Sequence, residues 1–171
     1  MLDRKMIDGR AAMTKNDPEF LFSIALQGKT YVEIGTKWGG SAIVAGMAGC
    51  EVHCIDPWEY PGRERFATPD LVRGNWAAAG LDPAKLFLHQ QRHPPWPEAI
   101  KDRKFDIGLI DGSHTEEACR KDWEGMRLHV TKFILFHDFD YHHEGVQKVF
   151  WEAEEDPKWN RVGHQYGVLR R

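Results

Sequence analysis

The chain has 171 residues, 42% hydrophobic and 29% charged, with a formal net charge of −3. That length suits one domain with a full core, read here as spanning 1–171. The charge supplies no global basic field for nucleic acid, and no apolar run reaches membrane-spanning length.

The first ten residues, MLDRKMIDGR, lack the apolar core of a signal peptide, and residues 1–16 read as a flexible arm. DPEFLFSIALQ then predicts a helix, with Asp17 as cap, Pro18 in the first turn and Gly28 beyond the end. TYVEIG reads as a first strand. SAIVAGMAG reads as the helix behind a glycine loop, with Ser41 as its cap. EVHCID is a second strand, PDLVRGNWAAAG a helix and KLFLHQ a third strand. PWPEAI starts a short helix and FDIGLID is a fourth strand. TEEACRKDWEGMRLH is a helix, acidic at its start and basic later, as the helix dipole prefers. KFILFHD is a fifth strand, GVQKVFWEAEE a helix, and the tail WNRVGHQYGVLRR holds two short strands as a hairpin. Apolar runs alternating with amphipathic stretches argue for β-α-β units. The expected fold is α/β: a Rossmann-like, doubly wound, mostly parallel sheet in three αβα layers, with ligands beyond the carboxyl ends of the strands. Cys50, Cys54 and Cys119 form neither an even disulfide framework nor a C-x-x-C pair, and read as reduced thiols of a cytoplasmic protein.

VEIGTKWGGSA is the first stretch that points to chemistry. A strand entering a glycine turn and then a helix aims backbone N–H groups at one spot. Gly35 permits the turn, and Gly39 and Gly40 permit close approach. The run matches neither G-x-G-x-x-G nor the phosphate loop G-x-x-x-x-G-K-[ST]. Glu33 beside the turn disfavours a phosphate and favours an ammonium group. Asp56 ends the second strand, where an acidic side chain takes ribose hydroxyls. A nucleoside carrying an amino acid satisfies both carboxylates, and S-adenosylmethionine is such a ligand.

Together VEIGTKWGGSA, HCIDPW, FDIGLIDGSHTEEACRKDW and FILFHDFD with GVQKVFWE resemble a class I S-adenosylmethionine-dependent methyltransferase. More closely they resemble methyltransferase family 24, related to macrolide-sugar and rhamnosyl O-methyltransferases. The resemblance covers roughly residues 29–150. It implies that Glu33, Gly35, Thr36, Gly39, Gly40 and Ser41 surround the methionine portion of the cofactor. It also implies that Asp56 holds the ribose, that Trp58 sits at the adenine rim, and that Gln91 in HQQRHPPW borders the adenine.

Strands four and five end in IDGSH and FHD, and neighbouring strands of such a sheet open onto one crevice. Asp111, His114, His137 and Asp138 are therefore expected to converge. Carboxylates with imidazoles suit a divalent cation, Mg²⁺ or Mn²⁺, that acidifies a substrate hydroxyl. The resemblance implies metal binding and cofactor contact by Asp111, and general-base catalysis by His114. It places His137 and Asp138 at the remaining metal positions, with His137 also a catalytic candidate. An acidic pair is usual there, so the imidazole of His137 moves the preference toward Mn²⁺, Fe²⁺ or Zn²⁺, and leaves a site without metal as the alternative. His142 and His143 lie just beyond.

The leading expectation is an O-methyltransferase acting on a small molecule, with a sugar or natural-product-like hydroxyl as acceptor. Two other classes stay open: a metal-dependent hydrolase built on HDFDYHH and DGSH, and a nucleoside-binding module without catalysis. Methylation of nucleic acid is disfavoured, since there is no basic stripe and no D/N-P-P-Y/F motif. Residues 59–70 read as a flap in which Arg63 and Arg65 face an acidic substrate. No membrane association is expected, and a homodimer is.

Overall fold

The computed structural model describes residues 17–59, 67–139, 142–162 and 167–171. The expected arm at 1–16, and Arg63 and Arg65 of the expected flap, lie outside them. The described elements are α1 (Asp17–Ala25), β1 (Thr30–Ile34), α2 (Gly40–Met47), β2 (Glu51–Asp56), α3 (Pro69–Ala78), β3 (Leu86–Gln90), β4 (Phe105–Ile110), α4 (Glu116–His129), β5 (Val130–Phe136), α5 (Glu144–Glu154), β6 (Asn160–Arg161) and β7 (Gly167–Arg170).

The sheet has the order β3-β2-β1-β4-β5-β7-β6. Its first five strands run parallel, and β7 lies antiparallel between β5 and β6. β1 and β4 are buried on both faces, as apolar strands of a parallel sheet must be. Side chains alternate between two cores. Tyr31 joins Leu21, Ile43 and Trp76 under α1–α3, whereas Val32 and Ile34 join Trp123, Met126 and Phe150 under α4 and α5. The three αβα layers expected from the sequence are present.

Register positions the site. Ile34 is level with Ile55 and Ile110, and Ile110 with Phe136. Four strands thus end at one height, and the loops that follow share one edge. The chain leaves β1 outward through β2 and β3 and returns at β4 on the other side. The reversal opens a crevice between the loops after β1 and β4.

Helix ends follow local chemistry. Thr68 accepts the N–H of Leu71 at the start of α3, with Pro69 in its first turn. Thr115 caps α4, with Glu116 and Glu117 in the first turn and Arg127 and His129 in the last. The stripe Cys119, Trp123, Met126 faces the sheet. A Cβ on Gly108 would lie 2.8 Å from the Met126 sulfur, so only glycine lets α4 sit this close to β4.

Four boundaries differ from expectation. Helix α1 stops at Ala25 because the N–H groups of Gln27 and Gly28 turn to the carbonyls of Ile24 and Ala25. PWPEAI yields one 3₁₀ turn, Glu98–Ile100, with Pro97 before its first residue. Strand β5 begins at Val130, which caps α4 while already in extended conformation. Helix α2 is capped by Gly39, with φ 84°, and not by Ser41.

Candidate active site

The crevice has a volume of about 620 Å³. Its lining includes Gly35 and Lys37 from the β1 loop, Asp56 and Glu59 after β2, and Gln91, Arg92 and His93 after β3. The β4 loop supplies Asp111, Gly112 and His114, α4 supplies Asp122, and Asp138 follows β5. Among the described residues, three non-glycine residues at or next to the crevice have positive φ: Lys37 (52°), Trp58 (49°) and Asp138 (52°). Such conformations persist only where the surroundings hold them, and they concentrate at functional sites.

Asp56 ties the first two loops together. Its Oδ2 accepts the N–H groups of Thr36 (2.8 Å) and Lys37 (2.9 Å), and its Oδ1 accepts that of Trp58 (2.6 Å). The Trp58 indole N–H donates to the Lys37 carbonyl at 3.1 Å. Trp58 is buried in the core, and its neighbours Pro57 and Glu59 line the crevice. Gly35, at φ 90°, lies so close to the next loop that a Cβ would come within 2.0 Å of the Asp111 carbonyl oxygen. The space a Cβ on Gly39 would need is taken by Val72, so that glycine serves the fold of the loop.

Glu33 is fully buried behind this loop. Its Oε2 accepts the hydroxyls of Ser41 (2.7 Å) and Tyr31 (2.9 Å), while Oε1 has no hydrogen-bond partner. Burial raises its pKa to about 7, against hydrogen bonds that favour the carboxylate. Glu33 and Ser41 thus hold β1 to α2. The Thr36 hydroxyl is likewise buried and unpartnered, while Gly40 opens α2.

The expected convergence beyond β4 and β5 is present. Nδ1 of His137 lies 3.1 Å from Asp111 Oδ1 and 3.1 Å from Asp138 Oδ2, and its Nε2 lies 3.6 Å from Asp17 Oδ2. Burial disfavours the imidazolium, but these carboxylates outweigh it and hold the His137 pKa up to about 12. His137 in turn draws Asp138 below the usual carboxylate range, whereas burial lifts Asp111. Asp138 Oδ2 also meets His114 Nε2 at 2.9 Å. His137 stands behind the crevice wall, with Asp111, His114 and Asp138 in front.

Asp111, His137 and Asp138 could hold a divalent cation once His137 gives up its proton. One atom each from Asp111, His137 and Asp138 can face a common point. Both His137 ring nitrogens are buried without an aligned hydrogen bond.

The profile of methyltransferase family 24, described as a methyltransferase domain, matches residues 32–139. The chain belongs to that family. It is a class I, S-adenosylmethionine-dependent methyltransferase domain. No curated protein sequence matches it. An O-methyltransferase from Bacillus cereus in complex with SAH superposes with TM-score 0.72 at 14% identity, covering 100% of this chain and 93% of that one. Cofactor-bound Rv0187 from MTB gives 0.69 at 17% identity, covering 98% and 86%. The O-methyltransferase TomG from Streptomyces achromogenes, involved in tomaymycin synthesis and in complex with SAM, gives 0.68 at 15% identity, covering 99% and 89%. These likenesses establish the shared fold.

At the far end of the methyltransferase crevice, Gln91 lines the wall with its side-chain N–H folded back onto the Pro95 carbonyl at 2.8 Å. Beside it lies a pair not singled out from the sequence. His93 Nδ1 meets Asp122 Oδ1 at 2.8 Å, both side chains almost wholly buried. Burial raises the Asp122 pKa, and the His93 contact opposes this. The pair fastens the β3 loop to α4, and a Cβ on Gly125 would lie 2.6 Å from His93 Nε2. A signal existed: Asp122 interrupts the apolar stripe of α4 between Cys119 and Trp123. A carboxylate on such a stripe demands a buried partner. Asp17 was read as a helix cap, and its contact with His137 came only from the fold.

Proposed function

We propose that this methyltransferase moves the methyl group of S-adenosylmethionine to a hydroxyl oxygen of a small molecule, with His114 as general base. The observation that carries the reading is the meeting of Asp111, His114 and Asp138 at the crevice wall facing the Gly35 loop. Bound S-adenosylmethionine would supply an electrophilic methyl on its sulfonium, and a divalent ion on Asp111, His137 and Asp138 would acidify the acceptor hydroxyl. The mixed nitrogen and oxygen donors suit Mn²⁺ or Fe²⁺ as well as Mg²⁺. Gly35, the backbone of Thr36 and Lys37, and Asp56 would hold the methionine and ribose portions, with Gln91 bordering the base.

His114, oriented by Asp138, would take the hydroxyl proton as the oxygen attacks the methyl carbon. An O–C bond forms, the C–S bond breaks, and its electron pair stays on sulfur, leaving S-adenosylhomocysteine and a methyl ether. Holding oxygen, carbon and sulfur in line supplies much of the acceleration. The Bacillus and Streptomyces neighbours are O-methyltransferases, which supports oxygen as acceptor, and the involvement of the latter in tomaymycin synthesis supports a natural-product-like substrate. Among the described residues no helix is long and apolar enough to cross a membrane, and all three cysteines are buried free thiols. The thiols support a reducing, cytoplasmic setting.

Isothermal titration with S-adenosylmethionine, with and without Mn²⁺, tests the reading, followed by methyl transfer to a library of hydroxyl acceptors. Binding and transfer by the wild type, with transfer lost and binding retained in His114→Gln, support it. Metal binding without nucleoside binding would favour a hydrolase, and nucleoside binding without transfer a binding module.

A further inference from the structure

We propose that His114, Asp138 and His143 form a second cation site, sharing Asp138 with the Asp111–His137–Asp138 cluster, that selects zinc-class ions. One donor atom from each of the three lies within 4.8 Å of the others. His114 Nε2 is 2.9 Å from Asp138 Oδ2, and the His114 and His143 rings are edge to face with centroids 4.3 Å apart.

The triad is held by backbone on every side. His143 is the residue before α5, and its carbonyl accepts the N–H groups of Val146 (3.0 Å) and Gln147 (3.1 Å). The first turn of α5 rests on the chain that carries His114. A Cβ on Gly145 would come within 2.6 Å of the His114 carbonyl oxygen and 2.6 Å of the Glu116 nitrogen. Asp138 is pinned in its left-handed conformation. The backbone that carries the three donors is therefore placed before any ion arrives, which favours a selective metal site.

The donor types separate the two sites. The inner cluster offers two carboxylates and one imidazole, a hard set. The outer triad offers two imidazoles and one carboxylate, a set zinc takes with an open fourth position. The crevice face of His114 leaves that position to water or ligand. An ion held there uses His114 as a ligand and withdraws it as a base. Zinc would then inhibit the reaction, a consequence that rests on the proposed O-methyl transfer.

The test is isothermal titration of the full chain with ZnCl₂ and with MnCl₂, using His143→Gln, His143→Cys and Asp111→Asn. Zinc affinity should fall at least about tenfold in His143→Gln, the scale on which metal sites answer to the loss of a supporting group. It should return in His143→Cys, since a thiolate also ligates zinc. Manganese affinity should be unchanged by His143→Gln and lost in Asp111→Asn. Zinc affinity unchanged in His143→Gln, both ions weakened together, or no zinc binding by the wild type would each overturn the proposal. Titration of the same preparations with S-adenosylmethionine reads the methyltransferase assignment separately, so that either can fail alone.

Discussion

Asp56 and Lys37 hold each other through backbone. The carboxylate accepts the Lys37 N–H at 2.9 Å, and the Lys37 carbonyl accepts the indole N–H of Trp58, two residues beyond Asp56, at 3.1 Å. The loops after β1 and β2 are thereby clasped before a ligand enters, with Lys37 and Trp58 both at positive φ. Asp56→Ala leaves three backbone N–H groups without their acceptor. Hydrogen bonds to charged groups are worth about 1.5–3 kcal/mol each, so a loss of at least about 2 kcal/mol is expected in urea unfolding. Titration with S-adenosylhomocysteine should show binding weakened by more than about tenfold, or about 1.4 kcal/mol.

Gly35 and Gly49 offer a paired test of close packing. Both have positive φ, 90° and 95°, but a Cβ on Gly49 meets nothing within 4 Å. Gly49→Ala should cost only the left-handed backbone term, about 1–2 kcal/mol. Gly35→Ala adds a collision with the Asp111 carbonyl and should cost clearly more, with cofactor binding lost. Equal melting shifts for the two variants would refute the account of the β1–β4 contact.

Glu33 makes stability depend on pH. Its pKa, about 7 in the fold against 4.5 ordinarily, means that the folded chain binds more protons than the unfolded chain between these values. Stability therefore falls as pH rises from 4.5 to 7, and the cost is complete above that window. Glu33→Gln keeps an acceptor for Ser41 and Tyr31 without the charge. Relative to wild type it should gain roughly 3 kcal/mol across the window. Denaturant midpoints of the two proteins at pH 4 and pH 8 measure the difference, and parallel curves would contradict it.

The His93–Asp122 pair is buried, and removing one partner strands the other. His93→Ala or Asp122→Ala should each cost about 3–5 kcal/mol, and the double variant much less than the sum. A double-mutant cycle in urea gives the coupling. The single variants should also weaken cofactor binding, because the pair anchors the β3 loop that lines the crevice.

Much of this protein was readable along the chain because its signals are local. Alternating apolar runs and helical stripes specify a parallel, two-sided sheet, since a strand buried on both faces has no other way to be satisfied. Gly35 announces a turn through its conformational freedom, and the order of VEIGTKWGGSA, HCIDPW, IDGSH and FHD places acidic groups and histidines at successive strand ends. What each group touches was not local. Glu33 and Ser41 bond each other because the β1 side chain lies under α2. Trp58 turns inward because its indole N–H finds the Lys37 carbonyl. Asp17 reaches His137 across 120 positions of sequence, and His93 reaches Asp122 from another loop. Those contacts depend on sheet order and register, which the pattern of a single strand does not contain. Residue type decided which chemistry could be present, and packing decided which atoms were left facing the crevice.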